Sequence, residues 1–321
     1  MTDATGDPNT AFLFPGQGAQ HVGMGKDLYE SSPAAKRVFE LAEDVCGLPL
    51  REFCFEGPEG ELSRTNVAQP AIFTASAATL AAMDETLPPE RMNALRPGFA
   101  AGLSLGEYTA LYAADAIDLE PALELVTRRG ALMQEAATAV PSGMVSVLGL
   151  DPSGAEKLCE AARQDQVLVC ANFNCPGQVV LSGEIDACKR AEEMAKDFGA
   201  AGAVPLKVAG AFHSKLMAPA AAKLAEALKG VIFRPPKTAV LSNVTAQEAS
   251  DPEQIKQNLL DQLISPVRWQ QSMENLLAQD VTSFYEIGPG RVLAGLMRRI
   301  HRKTKVTCVN SREAVAALSG E

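Results

Sequence analysis

Histidine and tryptophan are scarce in this chain of 321 residues, and its cysteines do not occur at the close spacing of metal-binding or redox motifs. It has three histidines, one tryptophan and seven cysteines, but it contains no C-x-x-C pair, and no histidine lies at metal-ligand spacing beside a cysteine. This pattern disfavours the common zinc and dithiol motifs and predicts reduced, buried thiols. We therefore expect no metal site.

Basic charge and long apolar runs are also lacking. The chain has 39 acidic and 29 basic residues, and its net charge of −10 disfavours binding to nucleic acid or to an anionic membrane. The longest uncharged run, residues 65–83, contains Asn66, Gln69 and Pro70, so we predict a buried helix of a soluble protein and not a membrane span. The first ten residues are polar and lack the regions of a signal peptide, which predicts a cytoplasmic location.

Hydrophobic residues make up 47% of the chain, enough for a large core. In most of it, short apolar strands alternate with helices, which predicts an α/β fold with a parallel sheet covered on both faces. In its middle, residues 141–211 have the order βαββαβ, which is typical of a ferredoxin-like unit. We predict that residues 1–140 and 212–321 form one discontinuous large domain and that residues 141–211 form a small inserted domain.

The periodicity of apolar residues places the individual elements. Strands are predicted over residues 11–14, 97–101, 145–148, 167–173, 178–181, 203–206, 239–241, 283–287 and 306–309. Helices are predicted over residues 32–47, 69–86, 107–114, 119–139, 152–163, 185–198, 215–229, 252–263, 269–279 and 291–300.

Ser104 lies in Gly102-Leu103-Ser104-Leu105-Gly106, between a predicted strand and a predicted helix. Glycines two residues on either side permit a sharp turn that projects the serine hydroxyl at the helix N-terminus. Unpaired N–H groups and the positive end of the helix dipole suit a developing oxyanion there. The motif alone leaves two interpretations open, a nucleophile or an ordinary helix-capping serine.

A second glycine-rich turn, residues 15–20, follows the first predicted strand. A dinucleotide-binding G-x-G-x-x-G motif requires its third glycine at position 21, which is His21, so the pattern disfavours nucleotide binding. The turn keeps backbone N–H groups that can face a ligand.

A serine nucleophile needs a base, and each of the three histidines is a candidate. His21 follows the glycine turn, while His301 lies among cations at the end of a predicted helix, which is typical of a structural role. His213 lies in a small apolar loop before a helix, where an imidazole can be partly buried, so we choose it as the base. No acidic residue stands out as a third member, because the acids between Ser104 and His213 fall mostly on predicted solvated helix faces; this weakens a lipase or esterase interpretation.

Taken together, six segments resemble the motifs of malonyl-CoA:acyl carrier protein transacylases in the same order along the chain. The segments are Phe14-Pro15-Gly16-Gln17-Gly18-Ala19-Gln20, Gly102-Leu103-Ser104-Leu105-Gly106-Glu107-Tyr108, Arg129-Gly130-Ala131-Leu132-Met133-Gln134, Gly210-Ala211-Phe212-His213-Ser214, Pro266-Val267-Arg268-Trp269 and Ile287-Gly288-Pro289-Gly290. The resemblance spans nearly the whole chain and implies an α/β-hydrolase-like domain with a ferredoxin-like insertion. It also implies a serine–histidine pair in place of a full triad.

The resemblance implies a role for individual residues of the dyad and its surroundings. Ser104 corresponds to the acylated nucleophile and His213 to its general base and later acid. Gln262 matches the glutamine whose main-chain carbonyl orients the histidine. Gln17 and Leu105 correspond to the residues whose backbone N–H groups form the oxyanion hole.

Substrate contacts follow from the same resemblance. Arg129 matches the arginine that receives the free carboxylate of the acyl group, and Phe212 matches a bulky residue that occupies the space of an α-methyl group. Many members carry histidine before the nucleophile, where this chain has Leu103, which makes a polar role at that position doubtful. The implied substrate is malonyl-CoA and the implied partner is an acyl carrier protein, in fatty acid or polyketide synthesis, with no metal or redox cofactor.

Carrier proteins of this pathway are typically acidic, so an acidic enzyme needs a local basic patch to bind one. The candidates are Lys189, Lys207 and Lys215, with the cluster from Arg298 to Lys305 as a second choice. Two other functions stay open: a serine hydrolase that passes the acyl group to water, and a non-catalytic scaffold of the same fold.

Overall fold

The computed structural model describes residues 6–319, which form two β-sheets with helices packed against them. The strands are β1 (Asp7–Phe14), β2 (Pro97–Gly102), β3 (Ser142–Leu148), β4 (Leu168–Cys175), β5 (Gln178–Glu184), β6 (Gly202–Pro205), β7 (Ala239–Leu241), β8 (Glu248–Ala249), β9 (Ser283–Ile287) and β10 (Val306–Val309).

Helices connect most of these strands. They are α1 (Lys26–Ser31), α2 (Pro33–Cys46), α3 (Leu50–Phe55), α4 (Glu59–Leu62), α5 (Thr65–Thr86), α6 (Pro89–Leu95), α7 (Gly106–Ala113), α8 (Leu119–Ala139), α9 (Pro152–Arg163), α10 (Ile185–Met194), α11 (Ala218–Lys229), α12 (Pro252–Gln262), α13 (Trp269–Ala278), α14 (Val292–Ile300) and α15 (Arg312–Ala316). Short 3₁₀ turns cover Lys215–Met217 and Ala317–Ser319.

The larger sheet has the strand order β10-β9-β1-β2-β7-β8. Its neighbouring strands are parallel except for β8, a two-residue edge strand that pairs antiparallel with β7. The α/β fold with a parallel sheet is therefore confirmed, while β8 was not predicted because two residues carry no periodicity. Phe14 pairs with Gly102 at the carboxyl ends of β1 and β2, so the two glycine-rich turns begin side by side.

The smaller sheet is antiparallel, with the order β4-β5-β3-β6. Helices α9 and α10 supply buried residues to its own apolar core, which includes Val147, Leu158, Leu181 and Ala191. The chain order βαββαβ is confirmed. The domain bounds at residues 141 and 211 stay a prediction.

Helix α5 is buried on nearly every side, as the uncharged run predicts. It begins at Thr65, four residues before the predicted start at Gln69, and Pro70 lies inside it. The prediction placed Pro70 in the first turn, where proline is best tolerated; here packing against α2 and α8 outweighs one lost backbone hydrogen bond. Within residues 6–319, none of the helices combines the length and apolar character that spanning a membrane requires.

Several element bounds differ from the predicted ones. The helix predicted over residues 185–198 ends at Met194, and the chain then reaches Gly199, whose φ of 88° is left-handed. The helix predicted over residues 215–229 is a 3₁₀ turn followed by α11, in which Pro219 occupies the first turn. The short helices α3, α4, α6 and α15 were not predicted, since four to seven residues give too little periodicity.

Candidate active site

Ser104 sits at the turn between β2 and α7 in a left-handed conformation, with φ of 53°. A Cβ atom at Gly102 would overlap the backbone of Gly106, and one at Gly106 would overlap the carbonyl oxygen of Phe14. Only glycine fits at these two positions, which is why the turn is as sharp as its spacing predicts. The strained conformation at Ser104 is typical of functional turns.

The glycine turn after β1 lies against this serine turn. The N–H of Leu103 donates to the carbonyl of Phe14 over 3.1 Å, and a Cβ atom at Gly16 would overlap the carbonyl oxygen of Leu103. The backbone N–H groups of Gln17 and Leu105 have no hydrogen-bond acceptor among residues 6–319. Two unpaired donors on adjoining turns match the requirement of an oxyanion hole.

His213 faces the serine. Its Nε2 atom lies 2.9 Å from Ser104 Oγ, and its Nδ1 atom lies 2.7 Å from the carbonyl oxygen of Gln262. A carbonyl oxygen only accepts, so Nδ1 carries the proton and Nε2 presents its lone pair to the hydroxyl. Burial, and next the Arg129 charge, lower the pKa of His213 to about 4, against the effect of the hydrogen bond to Gln262. The imidazole is therefore neutral near pH 7 and able to accept a proton.

Hydrogen bonds fix the loop that presents this histidine. Ser182 Oγ, on β5, donates to the carbonyl of Phe212 over 2.6 Å, and Ser214 Oγ donates to the carbonyl of Ala211 over 2.7 Å. His213 itself has a left-handed φ of 56°. The loop is thus tied to the small sheet, and Phe212 is buried beside the histidine.

Arg129 is fully buried in the middle of α8. Its Nη1 donates to Gln69 Oε1 over 2.7 Å, and its Nη2 donates to Gln262 Oε1 over 2.8 Å and to Ser104 Oγ over 3.1 Å. The guanidinium also lies over the ring of Tyr108, 5.3 Å from its centroid. The arginine predicted as a substrate contact therefore touches the predicted nucleophile directly.

Within the described chain, no acidic side chain lies within ion-pair distance of Arg129. Burial lowers the pKa of Arg129, although a guanidinium stays cationic in proteins. Its Nε has no hydrogen-bond partner among residues 6–319. A buried cation without an ion-pair partner, placed beside a nucleophile, suits an anionic group on the substrate.

Glu107 is the acid that the sequence analysis missed. It lies on the first turn of α7, is 3% exposed, and accepts hydrogen bonds at Oε2 from Gln262 Nε2 over 2.7 Å and from the Asn243 N–H over 3.0 Å. The expectation that acids after Ser104 lie on solvated faces is wrong at this position, because α7 packs between β1, β2 and α5. Burial raises the pKa of Glu107 to about 7, against its hydrogen bonds and the Arg129 charge.

Two amide side chains also join the site without a signal in the sequence. Asn243, just after β7, accepts the Ser104 N–H at Oδ1 over 2.6 Å and donates from Nδ2 to the Gly102 carbonyl over 2.7 Å. Gln69, on α5, donates to Gln17 Oε1 over 3.2 Å as well as accepting from Arg129. Asn243 could have been anticipated only from its position at the carboxyl edge of the parallel sheet, where sites of this fold class form.

Leu103 immediately precedes the predicted nucleophile. Its side chain is half-buried and packs in an apolar cluster with Leu13 and Ala101. The polar partners of the serine come from Arg129 and Asn243 instead.

Among residues 6–319, no group of three or more His, Cys, Asp or Glu side chains is arranged to hold a metal ion.

Comparisons with known proteins agree over most of the chain. The family model described as acyl transferase domain matches residues 11–318. A relative from Bacillus subtilis (strain 168), named malonyl CoA-acyl carrier protein transacylase, is 44% identical over 306 residues, which cover 95% of this chain and 94% of the relative.

Solved structures agree with this match. An acyl carrier protein S-malonyltransferase from Vibrio cholerae O1 biovar eltor superposes with a TM-score of 0.91 at 40% identity, over 97% of this chain and 99% of the other. A malonyl-transacylase solved in complex with a type II PKS acyl-carrier protein superposes with a TM-score of 0.91 at 39% identity, over 98% of this chain and 100% of the other.

Proposed function

The chain belongs to the acyl transferase family of malonyl-CoA–acyl carrier protein transacylases, and from that premise we propose how its own residues move a malonyl group from malonyl-CoA to a carrier thiol. One observation carries the proposal. Ser104 Oγ lies 2.9 Å from Nε2 of the neutral His213 and 3.1 Å from Nη2 of the buried Arg129, which has no ion-pair partner among residues 6–319. The first contact activates the nucleophile, and the second selects an acyl group that ends in a carboxylate.

The reaction proceeds in two half-reactions. Ser104 Oγ attacks the thioester carbonyl while His213 Nε2 takes the hydroxyl proton, and the N–H groups of Gln17 and Leu105 hold the oxyanion. The C–S bond then breaks, His213 returns the proton to the CoA sulfur, and a malonyl-serine ester stays on the enzyme. The phosphopantetheine thiol of an acyl carrier protein next attacks the ester, passing its proton through His213 back to Ser104.

Two contacts assign the supporting roles in this scheme. The Gln262 carbonyl fixes the tautomer of His213, and Arg129 faces the space beside Ser104 Oγ in which the malonyl carboxylate must lie.

The chemistry calls for no metal or redox cofactor. All seven cysteines are free, five of them buried, which supports our proposal of a reducing, cytoplasmic setting.

Intact mass spectrometry after mixing with malonyl-CoA tests the proposal. A transferase accumulates a long-lived malonyl adduct, which disappears when acyl carrier protein is added. A serine hydrolase turns the acyl group over to free malonate, and a non-catalytic scaffold forms no adduct. The buried Arg129 argues against a general esterase, and the assembled Ser104–His213 pair argues against a scaffold.

We expect charge reversal at Lys207 and Lys215 to weaken binding of the carrier. Both lysines are exposed, they flank the His213 loop in the chain, and neither has an ion-pair partner among residues 6–319. Lys189 is exposed but lies 3.4 Å from Asp186, so its free charge is smaller. The Lys207→Glu/Lys215→Glu double variant should raise KM for the carrier and leave KM for malonyl-CoA unchanged. Equal changes in both constants would place the docking surface elsewhere, with the Arg298 to Lys305 cluster next to be tested.

Phe212 is expected to make methylmalonyl-CoA a poor substrate. The side chain is 5% exposed and its backbone is tied to Ser182, so it cannot easily withdraw from an added methyl group. One methyl group is worth only about 1 to 3 kcal/mol of discrimination, so the substrate is disfavoured without being excluded. The ratio of kcat/KM for malonyl-CoA and methylmalonyl-CoA should fall in Phe212→Ala. Equal rates with the two substrates in the wild type would show that Phe212 is not a gate.

A further inference from the structure

The carboxylate of Glu107 joins the chain segments that carry the proposed catalytic groups. It lies three residues after Ser104 and accepts the Nε2–H of Gln262, whose carbonyl holds His213. It also accepts the N–H of Asn243, whose side chain fixes the backbone of Ser104. One buried acid is thus bonded to the residue that orients the base and to the residue that shapes the nucleophile turn.

An ionised carboxylate only accepts hydrogen bonds, and this fixes the orientation of the Gln262 amide. Nε2 must point to Glu107, where it also reaches the Ser104 carbonyl over 3.0 Å. Oε1 must then point to Arg129, from which it accepts over 2.8 Å. A flipped amide would place a donor against the guanidinium and an acceptor against the carboxylate, so the Glu107 charge also sets the position of the arginine.

The same charge acts on the histidine. Proton transfer from Ser104 creates an imidazolium on His213, in a buried site where the Arg129 cation opposes a second positive charge. When ionised, Glu107 is the negative group on the far side of Gln262, and we expect it to offset part of that repulsion. Arg129, His213 and Tyr108 are the titratable or charged groups around Glu107, and none of these three is an acid that ionises near neutrality, as Glu107 does.

We propose that Glu107 is a positioning residue for the acyl transfer, which must be ionised to hold Gln262, and through it His213 and Arg129, in the working arrangement. It has the position of the acid in a serine–histidine–acid system but acts through an intervening amide. This inference rests on the proposed function. Because the pKa of Glu107 is raised to about 7, its ionisation falls in the range where the enzyme can be assayed.

The test is the pH dependence of malonyl-serine formation in single-turnover experiments, followed by intact mass. In the wild type the acylation rate should rise about tenfold between about pH 6 and 8, since that is the range over which a group of pKa about 7 loses its proton. Glu107→Gln keeps one acceptor oxygen, which can serve both Asn243 and Gln262, but removes the charge. Its rate should stay near the low-pH level of the wild type and no longer rise.

The steady-state constants kcat and KM should also respond differently to the loss of the Glu107 charge. In Glu107→Gln, kcat should fall about tenfold while KM for malonyl-CoA changes little, because the variant keeps a hydrogen-bond acceptor for Gln262 and loses only the charge that stabilises the His213 imidazolium. Glu107→Asp keeps the charge on a shorter arm, so it should recover the rise with pH at a reduced rate. A merely structural residue would not produce this combination.

Glu286→Gln is the matched control. Glu286 is also a fully buried acid with a raised pKa, but it accepts the N–H groups of Leu293 and Ala294 at the start of α14. Its replacement should lower the melting temperature and leave the rise of acylation with pH intact.

A flat wild-type profile between pH 6 and 8, or a Glu107→Gln enzyme that keeps the wild-type rate and rise, would overturn the inference. The wild-type profile and Glu107→Asp decide the question even where Glu107→Gln does not fold. Absence of any malonyl adduct on the wild type would instead contradict the proposed function, so the two failures are distinguishable.

Discussion

Replacing Ser104 with alanine is expected to abolish the malonyl adduct, and replacing His213 with alanine to slow acylation by ~10²-fold or more. Alanine at position 104 removes the atom that forms the ester. Alanine at position 213 removes the only base that residues 6–319 place within hydrogen-bond reach of that atom, since the other contact of Ser104 Oγ is a donor, Arg129 Nη2. An unassisted hydroxyl is a weak nucleophile near pH 7, and the loss therefore appears in kcat.

The measurement combines intact mass with stopped-flow release of CoA. His301→Ala is the matched control, because this histidine is exposed and its Nδ1 lies 2.7 Å from Thr304 Oγ1, away from the serine. It should acylate at the wild-type rate. Undiminished labelling of Ser104→Ala would show that another residue carries the acyl group and would end the proposed mechanism.

The elements that could be predicted are those whose own sequence pattern shows which residues are buried and where the element ends. Strands β7, β9 and β10 have the predicted bounds because short apolar runs lie between turn or helix signals. Helices α8 and α9 also match, since each buries one regular face. The start of α5 did not match, because burial on all sides erases the contrast between faces and leaves Pro70 as the only local signal.

The residues of the candidate site also fall into two groups, those that local sequence spacing predicted and those that only the tertiary packing brings to the site. Ser104, Gln17 and Leu105 are brought together by glycines that lie beside them in the chain, so local spacing carried the information. Asn243 is 139 residues from Ser104, and no pattern in its own neighbourhood indicates the contact. Glu107 was visible but misjudged, because the helix face it occupies is decided by the packing of α7 against the sheet and α5, which periodicity over eight residues does not define.

Replacing Arg129 with alanine is expected to convert a malonyl-selective enzyme into one that no longer prefers malonyl over acetyl groups. The guanidinium offers a planar fork of donors to a carboxylate, and burial makes such a pair far stronger than a surface ion pair. Each charge-assisted hydrogen bond is worth about 1.5 to 3 kcal/mol, so kcat/KM for malonyl-CoA should fall at least ~10-fold.

Acetyl-CoA supplies the internal standard for this variant. It passes through the same Ser104 and His213 but has no carboxylate to pair, so its kcat/KM should fall little or even rise as the pocket stops burying a cation. The contacts from Arg129 to Ser104 and Gln262 are lost for both substrates alike. The ratio of the two kcat/KM values therefore reports the carboxylate contact and cancels any general misplacement of the dyad.

Two further variants decide whether the geometry of the fork matters. Arg129→Lys keeps the positive charge but replaces the fork by a point charge, so it should restore the malonyl preference only in part. Arg128→Ala removes the neighbouring arginine of α8, which is exposed, and should leave the ratio at its wild-type value. A malonyl to acetyl ratio that is the same in the wild type and in Arg129→Ala would mean that the carboxylate binds elsewhere. Full rescue by lysine would mean that charge alone, without the paired donors, selects the substrate.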